Sequence, residues 1–126
     1  MKKFYISIFL ILFCVGSVWS GEFDDIKKSA EKGDSSAQNN LGDIYFDGKM
    51  GKRNYKWAAY WYQKSAGQGN ATAQYNLGLM YNHGKIGERD DIWAVYWYKK
   101  SAKQGYAIAQ NKIGEMYESG FGTPQN

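Results

Sequence analysis

The sequence predicts an all-α chain of stacked helix pairs, and three observations predict it. Ala37-Gln38-Asn39-Asn40-Leu41-Gly42-Asp43-Ile44-Tyr45 recurs as Ala73-Gln74-Tyr75-Asn76-Leu77-Gly78-Leu79-Met80-Tyr81, and again from Ala109 to Tyr117, at a constant interval of 36 residues. A second phrase, Trp57-Ala58-Ala59-Tyr60-Trp61-Tyr62-Gln63-Lys64-Ser65-Ala66, recurs at the same interval from Trp93 to Ala102. Both phrases space their apolar residues at the helical interval. A fixed period of roughly 20–50 residues marks units that bury one face against the next. Aromatic residues make up 17% of the 126 residues, enough to build a core in a short chain.

The first segment is a different text. Met1-Lys2-Lys3 is basic, Phe4 to Val15 is apolar apart from Ser7, and Val18-Trp19-Ser20 offers small or branched residues where a signal peptidase reads. The pattern predicts a cleavable export signal over residues 1–20, cut after Ser20, and a periplasmic or secreted product. Counted to Trp19, the apolar stretch is shorter than the ~20 residues of a membrane span, so no stable membrane anchor is expected after cleavage. The single cysteine, Cys14, lies inside this segment, and the bulky Phe13 before it argues against lipidation. The processed chain is then expected to hold no disulfide.

Residues 21–126 are expected to form one repeat domain. A capping helix at 22–32 comes first. Its Ser29-Ala30 stands one period before Ser65-Ala66, in a more polar setting. Repeat one spans 35–67. Its first helix runs from Ser35 to Asp47, with Ala37, Leu41 and Tyr45 in one stripe and Ile44 beside it. Gly42, with Gly78 and Gly114 at the same place in the other copies, costs a helix about 1 kcal/mol against Ala. Its recurrence implies close approach of the partner helix. Asn54 caps the second helix, Tyr55 to Gly67, whose inner face is Ala58, Trp61, Tyr62, Ser65 and Ala66. Gly33, Gly69 and Gly105 follow the Ser-Ala pairs and suit the left-handed position after a helix.

Repeat two, 71–103, repeats the plan with helices from Ala71 to His83 and from Asp91 to Lys103, the latter capped by Asp90. An incomplete repeat three covers 107–126, with one helix from Ala107 to Ser119. Asn126 is in register with Asp90 and Asn54, so either the sequence is truncated or the last first-type helix is left without its partner, and in the second case Ile113 and Tyr117 are expected to lack part of their cover. Self-association through this end is one expected consequence. Gly48-Lys49-Met50-Gly51 and Gly84-Lys85-Ile86-Gly87 join helices. No strand precedes them and no Lys-Ser/Thr follows, so they read as turns and no cofactor is expected.

Ala37, Leu41, Gly42, Tyr45 and Gly48, then Trp61, Tyr62, Lys64, Ser65, Ala66 and Gly69, resemble the Sel-1-like repeat family, a relative of tetratricopeptide repeats. Trp57 and Trp93 depart from it, since the family commonly has Lys there. The resemblance implies a right-handed solenoid of antiparallel helix pairs, about two and a half repeats plus the cap. It also implies a concave groove, lined by the first helices, that holds another protein. Exported bacterial relatives include host-contact factors and immunity proteins that block secreted toxins. Hydrolase activity has been proposed for some relatives.

Positions that differ between copies are free for something other than scaffold. On the face opposite the stripe these are Asn39, Asp43, Phe46 and Asp47, then Tyr75, Leu79, Asn82 and His83, then Asn111 and Glu115. Apolar Phe46, Tyr75 and Leu79 rimmed by amides and acids are expected to form a partner surface, although packing against the neighbouring unit would also explain them. Trp57 with Tyr60 and Trp93 with Tyr96 form a second candidate surface, with cover between units as the alternative. His83 is the lone histidine, and no metal set or catalytic constellation accompanies it. Of 16 basic residues, Lys2 and Lys3 lie in the signal, leaving 14 against 12 acidic, or +2. That is too weak a balance to argue for nucleic acid. The expected product is a non-enzymatic exported protein that binds another protein, as an inhibitor or immunity protein against a toxin or effector. The alternatives are a general scaffold, a host-contact factor and, further off, a hydrolase acting on cell wall or β-lactam.

Overall fold

The computed structural model describes residues 20–120. The bulk of the expected export signal (residues 1–19) and the Asn126 register position lie outside the described residues. Six helices, α1 to α6, and no strand occur among the described residues. They are α1 (residues 20–31), α2 (Ser35–Asp47), α3 (Tyr55–Gly67), α4 (Ala71–Asn82), α5 (Asp91–Lys103) and α6 (Ala107–Glu118). From α2 onward each helix packs on the next in chain order. The result is an all-α repeat fold in which α2, α4 and α6 are the first helices of successive units and α3 and α5 the second.

The caps follow from chemistry that is local in sequence. Asn54 and Asp90 accept from the amides of Trp57 and Trp93 at 3.0 Å each, as expected. Asp34 and Asn70 do the same for Ala37 and Ala73, so α2 and α4 are capped as well. Tyr106 stands at the third such position and has no side-chain bond. α4 ends at Asn82 rather than His83, and α6 at Glu118 rather than Ser119. In each case the expected last residue is the C-cap. Gly33, Gly69 and Gly105 take φ of 103°, 95° and 87°, turning the chain from each second-type helix into the next unit.

Three apolar clusters line up along the stack. α1 contributes Ala30 to a cluster with Ala37, Leu41 and Trp61, flanked by Phe23 and Ile26. This is the cover expected of a capping helix. Ala58, Ala59, Tyr62, Ala66, Ala73, Leu77 and Met80 form the second cluster, and Ala94, Val95, Tyr98 and Met116 the third. A polar ladder repeats beside them. Gln38, Gln74 and Gln110 each donate to the carbonyl eight residues back, at Ala30, Ala66 and Ala102. Ser65 and Ser101 donate to the carbonyls of Ser35 and Ala71. The Gln bond ties each unit to the helix before it, and the Ser bond ties the two helices inside a unit.

Tyr62 and Tyr98 hold the same place one period apart but differ in their hydroxyls. Tyr62 donates to Asp43 Oδ1 at 2.6 Å. Position 79, the period-mate of 43, is Leu, and the buried Tyr98 hydroxyl has no hydrogen-bond partner among the described residues. An unsatisfied buried group costs roughly 1–3 kcal/mol, whereas losing a bond to a charged group costs about 1.5–3 kcal/mol. Tyr98→Phe is therefore expected to raise stability by about 1 kcal/mol and Tyr62→Phe to lower it by about 2 kcal/mol. Urea denaturation of the two variants checks the opposite signs.

Candidate functional site

The expected partner row divides once the helices are in place. Asp43, Phe46 and Asp47 of α2 and Leu79 of α4 line one hollow of about 230 Å³, joined by Tyr62 and Asn76. Tyr62 reads as core from its stripe, and in the structure it does both jobs. Asn76 was open to detection by the copy-variation rule, since its period-mates are Asn40 and Lys112.

Four members of the row do not line this hollow. Asn39 is only 7% exposed and accepts from Asn76 Nδ2 at 3.1 Å, so it is a rung between units. Tyr75 packs between Tyr98 and Tyr106, with ring centres 5.7 and 5.4 Å away, and belongs to the third cluster. Asn82 donates to Asp91 Oδ1 at 2.9 Å and ties α4 to α5. His83 caps α4 through its backbone amide rather than standing on the helix face. The cause is common to the first three. The face opposite the stripe meets neighbouring helices, within the unit at Tyr75 and Asn82 and between units at Asn39, so copy variation there records packing partners as well as free surface. Asn111 and Glu115 are exposed on α6, outside the hollow, with Glu115 3.3 Å from Lys112 Nζ. Phe46, half-buried in the hollow, also packs on Tyr55 at 5.3 Å.

Asp43 is the electrostatic centre of this region. Burial raises its pKa, the Tyr62 bond opposes that, and neighbouring Asp47 adds to the rise. Burial and Asp43 push the Tyr62 phenol well above its ordinary value. Because the folded carboxyl holds its proton more tightly than the unfolded one, its favourable contribution is complete below the ordinary value of 3.8 and is lost as pH rises through the folded value. Asp43→Asn keeps an acceptor for Tyr62 and removes the desolvated charge. Melting at pH 7 is expected to be higher than wild type, with the gain closing as pH falls through the Asp range. A gain that persists in acid would contradict the desolvation account.

Two further hollows flank α1. One of about 280 Å³ has Phe23, Ile26, Ile44 and Met50 as apolar lining and Glu22, Asn40, Asp43 and Lys49 as polar lining. The other, about 380 Å³, lies beside Trp57, Tyr60 and Trp61, with Lys27, Glu31, Tyr45 and Lys64. The second candidate surface is thus half cover and half open. Trp57 stacks on Tyr45 at 6.2 Å and Trp93 on Tyr81 at 6.1 Å, while all four outer rings remain exposed. No group of three His, Cys, Asp or Glu side chains is placed to hold a metal among the described residues.

Comparison with known proteins agrees with this geometry. The Sel1 repeat model matches residues 35–70, 71–106 and 107–126. A protective antigen present in uropathogenic Escherichia coli strains, displaying an SLR fold, is 39% identical with a TM-score of 0.77, over 80% of this chain and 22% of that one. The chain therefore spans about a fifth of that protein. A Sel1 repeat protein from Oxalobacter formigenes is 33% identical with a TM-score of 0.74, over 83% of this chain and 79% of that one. No curated protein matches the chain significantly. Repeats of this kind generally mediate protein–protein binding. With three successive copies of the repeat matched along its helix pairs, this chain belongs to the Sel1 repeat family.

Proposed function

We propose that the chain is an exported, non-enzymatic binding module that holds one polypeptide partner across α2 and α4, as an immunity protein neutralising a secreted toxin or effector. The observation that carries this reading is the hollow between those helices, apolar at Phe46 and Leu79 and acidic at Asp43 and Asp47. Its chemistry suits a partner segment with an apolar side chain flanked by Lys or Arg. The wider surface supports the same sign. α2, α4 and α6 together carry Asp43, Asp47, Glu115 and Glu118 against a single Lys112. Asp43 is committed to Tyr62, which suits it to fixing the charge and shape of the hollow.

Asp47 is exposed, with only a 3.7 Å approach from Lys49, so changing it leaves the fold intact. Wild-type and Asp47→Lys proteins are used as parallel baits in extract from the export compartment of the producing cell. One partner is expected on the wild type and not on Asp47→Lys, and the wild-type chain is expected to abolish that partner's toxic activity at equimolar ratio. Equal capture by both baits would refute the groove. Capture without inhibition would refute the immunity role and leave a scaffold.

A further inference from the structure

The second-type helices carry the opposite charge. α3 and α5 bear Lys56, Lys64, Lys99, Lys100 and Lys103, all exposed. Against them stands one carboxylate, Asp91, which already accepts from Asn82 and from Arg89. The same two helices expose large apolar groups: Trp57 at 48%, Tyr60 at 41%, Trp93 at 48%, Tyr96 at 42% and Ile92 at 74%. On α5, Ile92, Tyr96, Lys99 and Lys103 follow the helical interval and share one stripe, apolar in its first half and basic in its second. Lys64 lies 4.9 Å from the Tyr60 ring, and Lys100 lies 4.9 Å from Tyr96 one period later.

Two chemistries could meet such a face, and the side chains choose between them. The core of a protein interface is depleted in Lys and enriched in Arg, whereas every cation on these two helices is Lys. A bilayer surface asks for what is present. Trp and Tyr settle at the headgroup level, Lys stems lie along apolar surface with their ammonium groups outward, and an anionic leaflet attracts them. No helix among the described residues is long and apolar enough to cross a membrane, so the contact is peripheral.

We infer that the outer face of α3 and α5 adsorbs the protein to an anionic phospholipid surface, leaving the acidic groove open for its partner. Five lysines on the two helices, with Asp91 already committed and Glu31 of α1 matched by Lys27 beside Trp61, give the charge complementarity that selects that occupant.

The test is sedimentation of the chain, as isolated from the producing cell, with two kinds of vesicle. One is phosphatidylcholine alone and the other an equal mixture of phosphatidylcholine and phosphatidylglycerol. Binding to the mixed vesicles is expected to exceed binding to neutral ones by about tenfold and to fall steeply at about 0.5 M salt. The combined variant Lys56→Gln, Lys103→Gln, Ile92→Ser alters only exposed side chains. It is expected to lose the anionic preference while melting as wild type does. Asp47→Lys is expected to retain vesicle binding, which separates this surface from the groove. Equal binding to both vesicles, binding to neither, an unchanged preference in the combined variant, or preferential binding of soluble polyglutamate over vesicles would each overturn the inference.

Discussion

Gly78→Ala lowers stability by about 2 kcal/mol, and Gly114→Ala, at the same repeat position, raises it by about 1 kcal/mol. A Cβ built on Gly78 meets Tyr98 Cδ1 and Cε1 at 2.6 Å, and one on Gly42 meets the Tyr62 ring at 2.5 Å. Neither ring can swing aside. Tyr98 is fully buried and Tyr62 is tied to Asp43. Alanine improves helix propensity by about 1 kcal/mol at all three sites. The collision outweighs that gain at Gly42 and Gly78. A Cβ added at Gly114 meets nothing within 4 Å among the described residues, so only the propensity term remains. In a domain of this size the Gly78→Ala loss corresponds to a fall in Tm of order 10 °C. Thermal melts of Gly42→Ala, Gly78→Ala and Gly114→Ala check it. Shifts of the same sign at all three would show that glycine is kept for some reason other than close approach.

Trp61→Ala costs about 3–5 kcal/mol, and Trp97→Ala costs clearly less. The two residues are period-mates, and their motif alone predicts equal burial. Trp61 is 6% exposed and belongs to the cluster under α1, whereas Trp97 is only partly buried. The difference lies in the helix in front. Lys27 and Glu31 of α1 stand beside Trp61, and one period later those positions are Gln63 and Gly67. Glycine offers no stem to cover the indole. Chemical denaturation of both variants gives the comparison, and Gly67→Glu is expected to move Trp97 toward the Trp61 value. Equal losses at Trp61 and Trp97 would mean that the preceding helix does not set the cover.

The helix pairs, their order and their packing faces are readable from the chain because each rests on residues close together. The Ala58, Trp61, Tyr62, Ser65 and Ala66 face is buried throughout, and Asn54 and Asp90 cap as their residue type dictates. Asp34 and Asn70 obey the same rule and stand three residues before the Ala-Gln pairs, so they too are legible. The candidate site was legible only in outline. Copy variation points to the side on which Asp43, Phe46, Asp47 and Leu79 lie, yet it cannot separate them from Asn39, Tyr75 and Asn82. Those three vary because their contacts in neighbouring helices vary.

Spacing and residue type are therefore sufficient for the repeat, the helices and the buried stripe, since a helix turns every 3.6 residues whatever surrounds it. Which polar and aromatic groups remain available was decided by tertiary contact. Asn39 meets Asn76 across 37 residues of sequence, and Tyr62 has an acceptor that Tyr98 lacks because position 43 is Asp and position 79 is Leu. Stacking the units turned one repeated phrase into three environments, and surface charge separated with it. Acids gathered on the first-type helices and lysines on the second, because each helix type presents its solvent face on a different side of the stack.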